Sequence, residues 1–250
     1  MSAAAPERTY VYGVLGADAP SPHGAGIGGA PLRRVASDGL AALVSALGDD
    51  ALMLGREEIL THARVLEAAV EHATVLPMRF GVVMEGEPAV KERLLDAHGK
   101  ELARQLDELA GKVELRVRAT YEEEALMREV VGEDGEIARL RQALTGRPED
   151  ASYYARIRLG ELVAGAIERR RATDTAAIFE TLAPLALDAR RGESSHERMA
   201  FSGSFLVDRE RMGAFDAMVD AFGQAQAGRM RIKYTGPLPP HSFVELHGEA

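Results

Sequence analysis

The sequence predicts an α+β chain built as two domains. Three observations carry this. The short strand-like run Thr9–Leu15 and the period-2 runs Val113–Tyr121 and Met199–Val207 mark strands. Apolar stripes at helical spacing mark helices, with Ile59, Ala63, Leu66, Val70 and Ala73 in one and Val90, Leu94, Leu102, Leu106 and Leu109 in another. Finally, strands and helices do not alternate strictly along the chain, as a parallel α/β sheet would require.

The first strand, Thr9–Leu15, is followed by a stretch from Ala17 to Pro31 rich in glycine and proline, which reads as a mobile loop. Leu32–Ser37 and Leu40–Ala46 flank Asp38-Gly39, a hairpin signal. A helix is expected over Arg56–Thr74. In Val75-Leu76-Pro77-Met78-Arg79-Phe80-Gly81 and beyond, Leu76, Met78, Phe80, Val82 and Met84 alternate with the residues between them, so one strand with one core face is expected. Pro77 cannot donate a ladder hydrogen bond, so the strand is expected to begin there or to lie at a sheet edge. A helix over Glu87–Ala110 ends at Gly111.

Beyond Gly111 a second organisation starts. Val113, Leu115, Val117, Ala119 and Tyr121 alternate with Glu114, Arg116, Arg118 and Thr120, a half-buried strand. Glu122-Glu123-Glu124 open a helix, where carboxylates suit the positive end of the dipole. The helix weakens at Gly132–Gly135 and resumes to Gly146. Another starts after Pro148, with Leu159, Leu162, Val163 and Ala166 as its buried stripe, and a short separate piece covers Ala176–Leu182. Leu185–Arg191 and Met199–Val207 read as a hairpin. Asp208 is placed to cap a helix running to Ala227, Arg229–Thr235 is the last clear strand, and Ser242–Leu246 is a short final one. The order from Val113 is β-α-β-β-α-β with an extended first helical crossover, which is the ferredoxin-like order. The domains are expected at residues 1–111, an N-terminal α+β domain, and 112–250, the ferredoxin-like domain.

Composition narrows function. A hydrophobic fraction of 46% with 28% charged residues is that of a soluble globular chain. A net charge of −9 argues against a dedicated nucleic-acid binder. With no cysteine there is no disulfide and no thiolate metal site, and a cytosolic setting is expected. Residues 1–8 lack a charged start followed by an apolar run, so no secretory signal is expected, and no membrane partner is expected without a spanning apolar segment.

The motifs that could carry chemistry do not survive their context. Gly24-Ala25-Gly26-Ile27-Gly28-Gly29 matches G-x-G-x-x-G, and Asp49 and Asp50 lie at ribose-contact distance downstream. A dinucleotide site also needs a strand directly before and a helix directly after, and neither is predicted there. No two of the seven histidines have i, i+4 spacing, and there is no G-x-S-x-G elbow. Neither enzyme, metal nor cofactor is expected.

A basic sheet face is the feature that remains. In the ferredoxin-like order the first and last strands are neighbours, so Arg116 and Arg118 would share a face with Arg229, Arg231 and Lys233. RNA recognition would want aromatic rings on that face, but Tyr121 and Tyr234 fall on the inward set. RNA binding is the disfavoured alternative, beside a plain solvated face or one that docks acidic residues of the other domain or of a partner. Arg79 is off the apolar face and stays open between solvation, an interdomain ion pair and a partner contact. Tyr234-Thr235-Gly236-Pro237-Leu238-Pro239-Pro240 contains P-x-x-P and reads as a strand terminator.

Three separated segments resemble the gas vesicle protein F/L family: Tyr10-Val11-Tyr12-Gly13-Val14, the Val75–Gly81 stretch behind a helix carrying Glu57 and His72, and the closing Tyr234–Pro240. The closing segment has Leu238 and His241 where the family pattern has an aromatic residue and a tyrosine. The resemblance implies an N-terminal α+β domain followed by a modified ferredoxin-like domain. It also implies a non-enzymatic accessory role in the cytoplasm at the gas vesicle, binding the hydrophobic main shell protein and other gas vesicle proteins during nucleation or growth. It brings no catalytic residues. Masking a shell subunit before assembly would need a sheet edge or groove, and the edge beginning at Pro77 is one candidate.

Overall fold

In the computed structural model, residues 8–48, 55–194 and 196–245 are described. Asp49 and Asp50 lie outside them. The chain is α+β and divides into two compact units. One holds the residues up to Leu115 with Leu206–Arg209 and those from Gly236, and the other holds Arg116–Phe205 and Glu210–Thr235.

In the first unit, β1 (Arg8–Gly16), β2 (Arg33–Ser37) and β3 (Leu40–Leu47) join β4 (Val75–Pro77) in the order β2-β3-β1-β4, and β5 (Val83–Glu85) also pairs with β1. All these pairings are antiparallel. The β2–β3 turn is at Asp38 (φ 44°) and Gly39 (φ 78°), two left-handed residues whose twist suits a tight hairpin. β1 and β3 are buried on both faces, which is why they read as nearly continuous apolar runs. One face packs on α1 (Arg56–His72) through Leu66 and Val75, and Gly13 is needed there because a Cβ would lie 2.8 Å from the Leu76 carbonyl. The other face packs Val11, Val14 and Leu76 against Val90, Leu94 and Leu102. Those three residues come from a continuous helical segment: α2 (Gly86–Ala89), a π-helical stretch (Val90–Asp96) and α3 (Ala97–Glu108).

The single strand expected from Leu76 to Met84 is instead two strands. Gly13 pairs with Pro77 and Tyr10 with Val83, so Val11 and Tyr12 alone face the whole stretch Met78–Val82. Met78 N donates to the Tyr12 carbonyl (2.8 Å) and Val11 N to that of Val82 (3.0 Å), while Arg79-Phe80-Gly81 loop out. Gly81 takes φ 93°, and its N–H donates to the Tyr10 hydroxyl at 3.0 Å. Alternation alone cannot show such a bulge, because the extra residues keep the apolar rhythm.

In the second sheet, β6 (Lys112–Tyr121), β7 (Asp188–Arg191), β8 (Met199–Asp208) and β9 (Met230–Leu238) run in the order β7-β8-β6-β9, the ferredoxin-like arrangement. The first crossover is enlarged to three helices, α4 (Glu123–Glu133), α5 (Gly135–Leu144) and α6 (Glu149–Leu182), and α7 (Met212–Ala225) makes the second. The α4–α5 break is at Asp134, whose carboxylate accepts from Glu136 N (3.0 Å) and Ile137 N (3.4 Å) as an N-cap.

Three further expectations are corrected. The separate helix over Ala176–Leu182 is the last part of α6, one helix of 34 residues. Asp208 ends β8, and a 3-10 turn at Arg209–Arg211 leads into α7, whose N-cap position is Arg211, so Asp208 is not the cap of that helix. Ser242 and Phe243 form a turn, not a strand, with Leu246 outside the described residues.

Candidate functional site

On β6, Arg118 is exposed and Arg116 half-buried; on β9, Arg231 and Lys233 are exposed. Glu122 N donates to the Arg229 carbonyl at 2.9 Å, and at the far end Gly236 packs on Leu115. These contacts run the two strands antiparallel in a register that puts Arg118 across from Lys233. Neither makes an ion pair among the described residues. Like charges facing each other across a ladder repel, so the pair is electrostatically suited to an anionic group. Arg231 is tied to Glu122 at 3.1 Å.

Arg229 departs from the alternation that groups it with Arg231 and Lys233. Its guanidinium lies between Glu129 (2.7 Å) and Asp174 (2.6 Å) and is only 20% exposed. Arg170 joins the same cluster of carboxylates, 3.1 Å from Glu129 and 2.7 Å from Glu133. Burial works against the charge of Arg229, but hydrogen bonds to Glu129 and Asp174 outweigh it and raise its pKa. Tyr121 donates to Asp174 at 2.6 Å; burial first, then that carboxylate, push its pKa up. The hydroxyl of Tyr234 is likewise engaged, donating to Asp216. Neither tyrosine ring is offered on the basic face.

Arg79, at the tip of the bulge in the first unit, is exposed and makes no ion pair among the described residues. Beside it, Phe80, Tyr10 and Tyr12 surround the buried His62, whose ring is stacked on Tyr12 at 5.7 Å and edge-on to Phe80 at 5.7 Å. The Tyr10 hydroxyl lies 3.0 Å from His62 Nδ1. Burial, reinforced by His241, lowers the His62 pKa to about 4, so the imidazole is neutral. Burial also raises the Tyr10 pKa to about 12.

Tyr12 explains the glycine motif. Its hydroxyl accepts from Ile27 N at 2.8 Å and lies 2.9 Å from Ser45 Oγ, and a Cβ on Gly26 would meet that hydroxyl at 2.4 Å. The loop expected to be mobile is pinned at this point, and a short 3-10 turn (Ile27–Gly29), not a phosphate-binding helix, follows.

Sequence reasoning misses Glu114. Alternation puts it in the outward set of β6, but it is fully buried and accepts from Ser242 N (2.7 Å) and Oγ (2.9 Å). Gln105 similarly donates to the Glu245 carbonyl (2.8 Å) and accepts from Glu245 N (2.9 Å). A carboxylate within an apolar alternation is the signal that could have pointed to such a clamp. Among the described residues no three His, Cys, Asp or Glu side chains gather as metal ligands, and no helix is long and apolar enough to cross a membrane.

Comparison with known proteins places this architecture. The family described as gas vesicle synthesis protein GvpL/GvpF matches residues 8–245. Gas vesicle protein F of a Streptomyces species is 37% identical over 95% of this chain and 99% of the relative. Gas vesicle protein F of a Nostoc species is 26% identical over 95% of this chain and 98% of that protein. Among solved structures, the gas vesicle protein GvpF from Anabaena superposes with a TM-score of 0.81 at 23% identity, covering 97% of this chain and 100% of the other. That from Microcystis aeruginosa gives 0.76 at 24% identity, covering 96% and 99%. The chain belongs to the GvpL/GvpF family of gas vesicle synthesis proteins.

Proposed function

We propose that this protein is a non-enzymatic accessory factor of gas vesicle assembly that acts in the cytoplasm at the growing vesicle. It binds the hydrophobic main shell protein, and other gas vesicle proteins, during nucleation or growth. Family membership across nearly the whole chain supports the setting. The observation that carries the binding surface is the Arg118–Lys233 pair beside β9, a long strand at the free edge of its sheet. Such an edge offers main-chain hydrogen bonds to an added strand, and flanking charges select which strand is accepted and in what register. We take residues 1–111 and 112–250 as the two working parts, with the second presenting this surface through Arg116, Arg118, Arg231 and Lys233. Arg229, held between Glu129 and Asp174, supports it from behind.

The test is capture of purified shell protein by the full chain. The double variant Arg118→Glu/Lys233→Glu should lower capture about tenfold, the loss of roughly 1.4 kcal/mol. Arg79→Glu serves as the comparison; if it alone abolishes capture, the surface belongs to the first unit. Unchanged shell capture by the double variant, with salt-dependent retention of RNA lost in a gel shift, would favour the RNA-binding alternative.

A further inference from the structure

Helix α6 is longer than the sheet it covers. At about 1.5 Å per residue its 34 residues span about 50 Å. In its second half one face packs on the sheet: Ile178 and Leu182 are buried, and Thr175 Oγ1 donates to the Ala200 carbonyl of β8 at 2.7 Å. Toward the N-terminus, alternating steps of three and four along that face reach Arg171, Glu168, Ala164, Glu161 and Ile157, and Tyr153 and Gly160 adjoin it. From Glu168 to Tyr153 every one of these residues is exposed, Ile157 by 44% and Tyr153 by 60%, with the neighbouring Tyr154 at 85%. The opposite face, with Leu159, Leu162, Val163 and Ala166, is the half-buried one. The helix therefore carries its sheet-packing stripe past the sheet, where nothing among the described residues covers it.

We propose that this overhanging half of α6 is a self-association surface on which two copies of the chain pack antiparallel about a two-fold axis near Gly160. The stripe is graded in size and complementary to its own reverse. Its N-terminal end carries the large Tyr153 and Ile157, and its C-terminal end the small Ala164. An antiparallel two-fold at Gly160 sets Ile157 against Ala164 of the second copy and brings the Tyr153 hydroxyl to the Glu168 carboxylate of the second copy. Gly160, where an added Cβ meets nothing within 4 Å, lets the two backbones approach at the axis. The charges follow the same symmetry. Arg158 lies 3.6 Å from its own Glu161 and 3.8 Å from Glu136 of α5, and Glu168 is paired with Arg171 of the same helix. At the axis the two Glu161 carboxylates sit between two Arg158 guanidiniums, an alternating box of charges. A contact a few turns long falls short of the area of a permanent interface, so the dimer is reversible and concentration-dependent.

Sedimentation velocity of the full chain, from low to high micromolar concentration, should show a monomer–dimer equilibrium. Ile157→Arg, at an exposed position that leaves folding untouched, should weaken it at least tenfold. The chain has no cysteine, so single cysteines report geometry directly. Gly160→Cys should form a disulfide-linked dimer under mild oxidation far faster than Gly132→Cys, an open position on α4 where an added Cβ also meets nothing within 4 Å. Adding Ile157→Arg to Gly160→Cys should slow the cross-link. A monomer at every concentration, a dimer that survives Ile157→Arg, or equal cross-linking of the two cysteine variants would each overturn the proposal.

Discussion

The hydroxyl of Tyr10 lies 3.0 Å from Nδ1 of the buried His62. The same hydroxyl accepts the Gly81 N–H, so its own proton is free to go to the imidazole nitrogen. This holds a neutral histidine at the centre of an aromatic nest and ties α1 to the bulge between β4 and β5.

A pH dependence of stability follows. The pKa of His62 falls from 6.5 in the unfolded chain to about 4 in the folded one. The unfolded chain therefore takes up the proton first. The stabilisation is complete above pH 6.5 and is lost progressively as the pH falls toward 4, amounting to ~3 kcal/mol across that window. Urea unfolding between pH 7.5 and 4.5 should show a steeper fall for the native chain than for His62→Gln. Parallel profiles would count against it.

The Tyr12 hydroxyl should matter more than its single oxygen suggests. Tyr12→Phe leaves Ile27 N and Ser45 Oγ without their buried partner, at a cost of about 1–2 kcal/mol. Gly26→Ala drives a methyl into the same spot and should cost about 1–3 kcal/mol. Both should lower the melting temperature and speed proteolytic cleavage within residues 17–31. Unchanged cleavage would mean the loop is held elsewhere.

The basic residues near β9 should differ sharply in their structural weight. Arg229→Ala leaves Glu129 with Arg170 alone, and Asp174 with Arg170 and the Tyr121 hydroxyl, in a largely buried site, and should cost about 2–3 kcal/mol. Arg231→Ala, which breaks one exposed pair with Glu122, should cost less than about 1 kcal/mol. Chemical denaturation of the two variants separates them, and equal losses would contradict the burial of the Arg229 cluster.

Glu114→Ala removes the acceptor of two hydrogen bonds from Ser242. Hydrogen exchange over residues 239–245 should accelerate far more than exchange in β8. Uniform acceleration across the chain would instead mean global destabilisation.

Much of this architecture is legible in sequence, because local signals and tertiary needs agree there. Asp38-Gly39 announces the hairpin, Gly111 the end of α3, and the alternation in Val113–Tyr121 the strand at the centre of the ferredoxin-like sheet. What escapes depends on distant partners. The Met78–Val82 bulge needs the register of β1. Arg229 reads as an outward residue until α4 and α6 supply its carboxylates, and Glu114 as a solvated one until Ser242 returns to it. Of the candidate surface, Arg118, Arg231 and Lys233 are exposed where alternation puts them, and the Arg118–Lys233 juxtaposition requires knowing the strand register.

The register change between β4 and β5 has a last consequence. A straight incoming strand could match β4 or β5, but matching one puts it out of step with the other. The N-terminal sheet therefore cannot act as a seed for ordered stacking on this side. That interruption gives this side of the first unit a form of immunity: a neighbouring chain cannot extend the sheet there strand by strand.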